Sequence, residues 1–458
     1  MALQKDELDF LIAMHRRLTD QPLEPDDPVR EPIHEELDDS DPVALLAFEV
    51  GANPVESLQL FSGFRGADKT TELWRLRKQL RDLGYLVLYA DAMDYVNPAE
   101  PIDISDMLMV IAGAFSDTLN DAIGTDMARE SFWDRLKNFL TKTEIRIGEA
   151  GAKLDYSTPA GAVLGSLKTG VNIKAELKTA SSFKQNLQKF LSGHLVDLKA
   201  EADAFIEDGV KAIWAARGAD TKVVFIFDSL EQLRGSYLTW KDVIQSVQQL
   251  FTVHIDRLRL PYVHAIYSVP PWLRYLPNSS PVPITILPTA HLWHNDADRT
   301  PDARARAVFR SLLYKRLKPQ EMARLFGPAA EAPGGPLDRL IGACTGHVRD
   351  LLRLVQEVFK RARSLPIGDD AITSAINAER RALAEIPLDD AKWLFEIGET
   401  RTHGLLTADE RSVERLSNFL DTHRVAYFVN GESWYDLHPL IREDVARIVA
   451  RAGAKDGT

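Results

Sequence analysis

The sequence is short of cysteine, of long apolar runs and of basic charge, and each shortage removes a class of explanation. Cys344 is the single cysteine, so neither an internal disulfide nor a cysteine-cluster metal site is available. No stretch of about 18 consecutive apolar residues occurs, so no membrane span is expected. The opening residues Met1-Ala-Leu-Gln-Lys-Asp-Glu lack the basic-then-apolar order of a secretion signal, and the expected compartment is the cytoplasm. The formal net charge of -12 repels nucleic-acid phosphates on average, so a DNA-binding role needs a local basic patch. Internal repeats and low-complexity tracts are absent too. What remains is 458 residues, 45% apolar and 27% charged, the ordinary make-up of a soluble chain of two or three domains.

Residues 8–14 form an amphipathic helical stretch. The Pro- and acid-rich passage 22–42 that follows reads as a linker or a wrapping arm. Leu58-Gln59-Leu60-Phe61 has the pattern of a short strand, and a Gly-rich loop follows at once. In the helix expected over 70–83, Leu73, Leu76, Leu80 and Leu83 share one face, and Gly84 ends it. Residues 85–90 are a second strand, completing one βαβ unit of a parallel sheet. Residues 104–135 and 183–217 read as helix; between them 143–178, with alternation over 171–177, predicts an insertion with a small β-hairpin and mobile loops. Apolar runs at 223–227, 262–267 and 284–287 fit strands buried on both faces. Helix is expected over 302–365, with Cys344 on it as a structural residue. Towards the end, helices precede two β-prone runs joined by Asn430-Gly431, a hairpin signal, with Trp434, Tyr435 and His438 as core and hairpin residues. A last helix follows, and this order suggests a winged helix.

The loop Gly63-Phe64-Arg65-Gly66-Ala67-Asp68-Lys69-Thr70 carries the chemistry. A tight turn between strand and helix points backbone N–H groups at an anion, and Gly63 and Gly66 allow close approach. Lys69 is suited to the β- and γ-phosphates of ATP and the Thr70 hydroxyl to Mg2+. One position departs from the G-x-x-x-x-G-K-[ST] pattern: Asp68 stands where the pattern has glycine. At roughly 4 Å and an effective dielectric of about 20, its repulsion of the β-phosphate is about 4 kcal/mol. The apolar run 223–227 ends at Asp228-Ser229-Leu230-Glu231. A buried strand delivering an acid suits a magnesium shell, which assigns Asp228 to the metal through water. Glu231 is the candidate general base, or else a surface acid on the turn. Ser268, at the end of the next apolar run, either senses the γ-phosphate or caps the following turn.

Taken in order, 63–71 with Glu72-Leu73, then 223–231, Ser268 and Gly346-His347-Val348-Arg349-Asp350-Leu351-Leu352 resemble a bacterial P-loop ATPase of the AAA+/STAND superfamily. The last segment is similar to that superfamily's sensor-2 motif, in which Arg349 would reach the γ-phosphate from a helical lid; the alternative is a solvated or paired surface arginine. The resemblance covers roughly 45–365. It implies the fold class α/β: a P-loop NTPase parallel sheet flanked by helices, with a helical lid and a C-terminal winged helix. The expected domains are an N-terminal helix and acidic Pro-rich arm (1–45), the P-loop core (46–290, insertion at about 116–200), the lid (291–385) and the winged helix (386–458). By this resemblance the catalytic set is Glu231, Lys69 and Arg349. Nucleotide contacts would come from Gly63, Phe64, Arg65, Gly66, Ala67, Asp68, Lys69, Thr70, Thr71, Ser268 and Arg349, and metal contacts from Thr70 and Asp228. Arg274 and Arg234 are candidate arginine fingers, or surface arginines.

The implied function is an ATP-binding regulatory ATPase or switch that acts on protein partners or in a homo-oligomer, a build that often serves in bacterial conflict or antiphage systems. A pseudo-ATPase scaffold, with nucleotide binding impaired by Asp68, stays open, as does a DNA-associated loader. Against the loader stands the segment 388–458, with nine Lys or Arg against thirteen Asp or Glu, a net -4.

Overall fold

A computed structural model describes residues 3–37, 41–123, 131–149, 163, 172–276, 280–405, 407 and 409–456. The chain divides into two compact units, 43–62 with 76–286, and 1–42 with 63–75 and 287–458.

The first of these units holds a five-stranded sheet of β1 (Ser57–Gly63), β2 (Leu86–Asp91), β3 (Val223–Asp228), β4 (Val263–Ser268) and β5 (Ile284–Leu287). Its order is β2-β3-β4-β1-β5, and the β2–β3, β3–β4 and β4–β1 pairs are parallel. Val223, Val224, Phe225, Ile226 and Phe227 are all fully buried, as a strand covered on both faces requires. The cover includes the helix Ile104–Ile123, which packs on β2 and on the helix Leu195–Arg217. This is the P-loop NTPase sheet flanked by helices that the pattern predicts. β5 differs from expectation: Ile284, Thr285 and Ile286 are half-buried, because β5 lies at the sheet edge.

The expected strand at 171–177 is instead the helix Ile173–Thr179. Asn172 caps it by accepting a hydrogen bond from Ala175 N, and Ile173 and Leu177, four residues apart, are buried on one face. Alternation over seven residues fits an i, i+4 pair equally well, and the cap decided between them. Most of the rest of 143–171 lies outside the described residues.

In the other unit the helices Ala303–Arg316, Pro319–Phe326, Pro336–Gly342, Val348–Arg361 and Asp369–Leu383 share one hydrophobic core. Leu11, Met14 and Leu18, in and just after the N-terminal helix Lys5–Arg17, enter that core, as do Ile33 and Leu37 of the short helix Ile33–Leu37. The Pro-rich passage is therefore a wrapping arm rather than a free linker: Ile33 and Leu37 bury in that core, and the charged Arg30 and Glu31 are held in ion pairs. Cys344 lies in the turn after Pro336–Gly342, not on a helix, and is buried. The helices Leu388–Thr400 and Glu410–Asp421, the antiparallel hairpin β6 (Val425–Asn430) and β7 (Glu432–Leu437), and the helix Arg442–Asp456 have the order and pairing of a winged helix. Gly431 takes φ +84 in the hairpin turn, and Trp434 Nε1 donates to Asn430 Oδ1 at 2.7 Å. Asp436, fully buried on β7, accepts from Arg299 and Arg442 at 2.9 Å each, and from Arg401.

Candidate functional site

The loop leaves β1 at Gly63, where a Cβ would lie 2.9 Å from Lys69 Cγ, so only glycine lets the lysine stem pack there. It then enters the helix Lys69–Asp82. Leu73, Leu76 and Leu80 of that helix are buried, but Leu83, expected on the same face, is exposed because the helix has ended one residue earlier. Lys69 is buried, its Nζ 3.5 Å from Phe64 O. Gly66 has φ +81 and Asp68 φ +60. Left-handed backbone costs a non-glycine residue about 1 kcal/mol, so the local geometry keeps the glycine-type conformation that the sequence at 68 has lost. Burial, then Glu72, raise the Asp68 carboxyl pKa, while His34, Arg349 and Arg316 act in the opposite direction.

The arm packs against this loop and its helix. Leu23 N donates to Thr71 Oγ1 at 3.2 Å. Glu72, almost fully buried, accepts from Arg30 Nη2 at 3.3 Å and from Arg75 Nε at 2.7 Å. Arg75 also forks onto both oxygens of Asp41 at 2.6 Å. A small, partly open cleft lies here, lined among others by Leu23 and His34 of the arm, Gly66 and Asp68 of the loop, and Arg316 and His347. Arg316 is buried, donates to Val29 O at 2.9 Å, and has its pKa lowered by burial against the attraction of Asp68.

Arg349 sits in the first turn of the helix Val348–Arg361. Its Nε is 3.4 Å from Asp20 Oδ2, is buried, and has no hydrogen-bond partner among the described residues. Its charge acts on Asp68. That Nε therefore faces the Asp20 carboxylate of the arm as an ion pair without a hydrogen bond.

Three residues that sequence reasoning gave no role meet the loop from above. His423, in the turn before β6, presents Nε2 to Arg65 O at 2.6 Å and Nδ1 to Asp350 Oδ2 at 2.7 Å. His347 stacks on it with ring centroids 4.1 Å apart. Burial opposes charge on His423, but hydrogen bonding and attraction from Asp350 outweigh it and raise the pKa. Burial, followed by the His423 charge, pushes His347 down to about 3, so that ring is neutral. His347 and Asp350 lie inside the motif quoted for Arg349. His423 is 358 residues from Arg65 and carries no local signal.

The expected Asp228, Glu231 and Ser268 belong to the sheet unit, not to the unit that holds the loop and Arg349. Asp228 ends β3 almost fully buried, accepting from Tyr89 OH at 2.6 Å and from Ser229 N at 2.7 Å. Ser268 Oγ accepts from Leu230 N at 3.1 Å and donates to Glu231 Oε2 at 2.8 Å. Ser268 therefore ties the turn after β3, rather than the turn that follows Ser268 itself, and holds Glu231 by a hydrogen bond. Arg274 is exposed, 5.7 Å from the Tyr275 ring, and Arg234 is half-buried on the loop after β3. Neither is singled out by geometry. No helix among the described residues is long and apolar enough to cross a membrane.

No family model matches the chain, and no curated protein does. Solved structures similar to it include the Walker-type ATPase PABY2304 of Pyrococcus abyssi, at 12% identity and TM-score 0.36, covering 94% of this chain and 99% of that one. The ORC2 protein of Aeropyrum pernix in its ADP form matches at 12% identity and TM-score 0.40, over 96% and 98%. Cdc6p from Pyrobaculum aerophilum matches at 12% and 0.32, over 95% and 98%. At such identities and TM-scores the likeness bears no weight, and the site stands on its own residues.

Proposed function

We propose that this chain is an ATP-binding regulatory ATPase or switch of the AAA+/STAND kind, which hydrolyses ATP slowly or conditionally and couples nucleotide state to contacts with protein partners or neighbouring subunits. What carries this is the loop itself: a Gly-rich turn with a buried lysine leaves β1 and enters the helix Lys69–Asp82. Ligands of open parallel sheets bind beyond the carboxyl ends of such strands. The loop amides and Lys69 would hold the phosphates, and Arg349 would answer the γ-phosphate. Glu231, held by Ser268, would orient the attacking water. Magnesium fits the donor chemistry: the Thr70 hydroxyl and the Asp228 carboxylate are hard oxygen donors, and both Asp228 oxygens already accept hydrogen bonds, which favours contact through water. When bound, the ion would neutralise phosphate charge.

One observation favours the second reading, a pseudo-ATPase scaffold. Asp68 keeps a carboxylate, at positive φ, on the wall of the cleft that phosphate would enter. Calorimetric titration of Mg·ATP into the wild type and Asp68→Gly decides between the two. The ATPase reading expects wild-type binding at millimolar ATP or below and about tenfold tighter binding in the variant, the equivalent of about 1.4 kcal/mol. No wild-type binding with recovery in Asp68→Gly would establish the scaffold.

A further inference from the structure

We propose that His347, Asp350 and His423 form a binding site for one divalent transition-metal ion of the zinc class, whose outer hydrogen bond, from His423, runs to the backbone of Arg65. The three residues each bring one ligand atom to a common point, all within 4.8 Å of one another. Two imidazoles and a carboxylate are a donor set for zinc or cobalt rather than for magnesium or calcium, which prefer oxygen alone. The His347 and His423 rings are stacked with centroids 4.1 Å apart, so the ring planes must open for both nitrogens to point at one ion at about 2.0–2.2 Å.

Two independent observations distinguish this cluster from a buried ion pair. First, His347 is 2% exposed and its Nδ1 has no hydrogen-bond partner among the described residues. Leaving such a group unsatisfied costs about 1–3 kcal/mol, and a cation would use its lone pair. Second, the outward nitrogen of His423 is already held. His423 Nε2 meets Arg65 O at 2.6 Å, and the His347 ring stacks on His423. Metal-bound histidines are oriented in this way, one nitrogen on the ion and the other N–H on a carbonyl. The alternative, a structural His423–Asp350 pair with a stacked ring, leaves the His347 nitrogen unexplained.

Binding exchanges ions without redox change. The metal takes the His423 Nδ1 position now turned towards Asp350, the proton on that nitrogen passes to solvent, and Nε2–H stays on Arg65 O. His423 reaches its place with φ +58, a conformation that fixes the ring over Gly66. The site does not depend on the loop binding nucleotide.

The test uses the untagged full chain, stripped with a chelator and titrated with Co2+, whose visible absorption reports coordination, and then competed with Zn2+. The expected result is one equivalent bound with a tetrahedral-type cobalt spectrum. Affinity should fall at least tenfold in His347→Ala and in Asp350→Asn, with no change in His294→Ala, which removes an exposed histidine. Asp350→Asn keeps the side-chain size and serves if the alanine variant fails to fold. Equal cobalt affinity in wild type and Asp350→Asn, or an octahedral aquo-type spectrum in the wild type, would overturn the proposal. Because ATP is not the readout, failure here is separate from failure of the nucleotide reading.

Discussion

At the scale of single residues, Asp68 and Lys69 are adjacent and pull the loop in opposite directions. Lys69 is buried with its ammonium turned towards the Phe64 carbonyl, so its charge is already part of the loop. Asp68 has the backbone of a glycine and the charge of an acid. Removing Lys69 takes one cation from the proposed phosphate site and leaves the sheet and the helical core intact. Lys69→Ala is therefore expected to weaken ATP binding or turnover at least tenfold, about 1.4 kcal/mol, with melting temperature nearly unchanged. Calorimetry and thermal unfolding on the same preparation check both halves, and undiminished affinity would remove Lys69 from the site. Asp68 was legible as a defect from spacing alone. That its neighbours His34, Arg316 and Arg349 offset its charge was not, since each is remote in sequence.

At the scale of elements, buried polar contacts decide how helices start and where the arm lies. Glu72 joins Arg30 of the arm to Arg75 of its own helix, and Arg75 in turn holds Asp41. The pairs with Arg30 and Asp41 are long-range and leave no periodic trace. A second buried acid opens the helix Ile104–Ile123. Asp106 accepts from Gln188 Nε2 at 2.5 Å and from Asp103 N at 3.2 Å, with Lys184 Nζ at 3.6 Å. Burial, then Asp103, push its carboxyl up to about 7, above its ordinary value of 3.8. The folded state thus holds this proton more tightly than the unfolded chain does. The stability it confers is complete below about pH 4 and is lost as pH rises through about 7. Asp106→Asn has no proton to lose. Between pH 5 and pH 8 the wild type should lose roughly 2–4 kcal/mol relative to the variant, at about 1.4 kcal/mol per pKa unit. Urea midpoints at the two pH values measure this; parallel changes in both proteins would show that Asp106 is not the group.

At the scale of the whole molecule, charge rather than fold bears on partners. The net charge is -12, and arginines of the segment 388–458 are engaged by internal acids. Arg442 and Arg401 converge with Arg299 on Asp436, and Arg447 pairs with Asp444. Arg299, Arg401 and Arg442 are largely buried around that one carboxylate, so they present little surface to a phosphate. Anisotropy titrations with a duplex oligonucleotide should therefore show weak retention that changes little between about 50 and 200 mM salt. A steep salt slope would revive the loader reading.

The sequence by itself determined the sheet, the loop and the hairpin, because their signals are local: apolar runs bounded by turns, a glycine–lysine spacing, an Asn-Gly pair. It also located Asp228 and Ser268 at strand ends, since a strand's last residue follows directly from its apolar run. The tertiary structure alone decided that the acidic arm is packed rather than free, and that His423 faces Arg65. Those outcomes depend on which distant groups find partners when both are taken out of water. Chain order does not encode that directly.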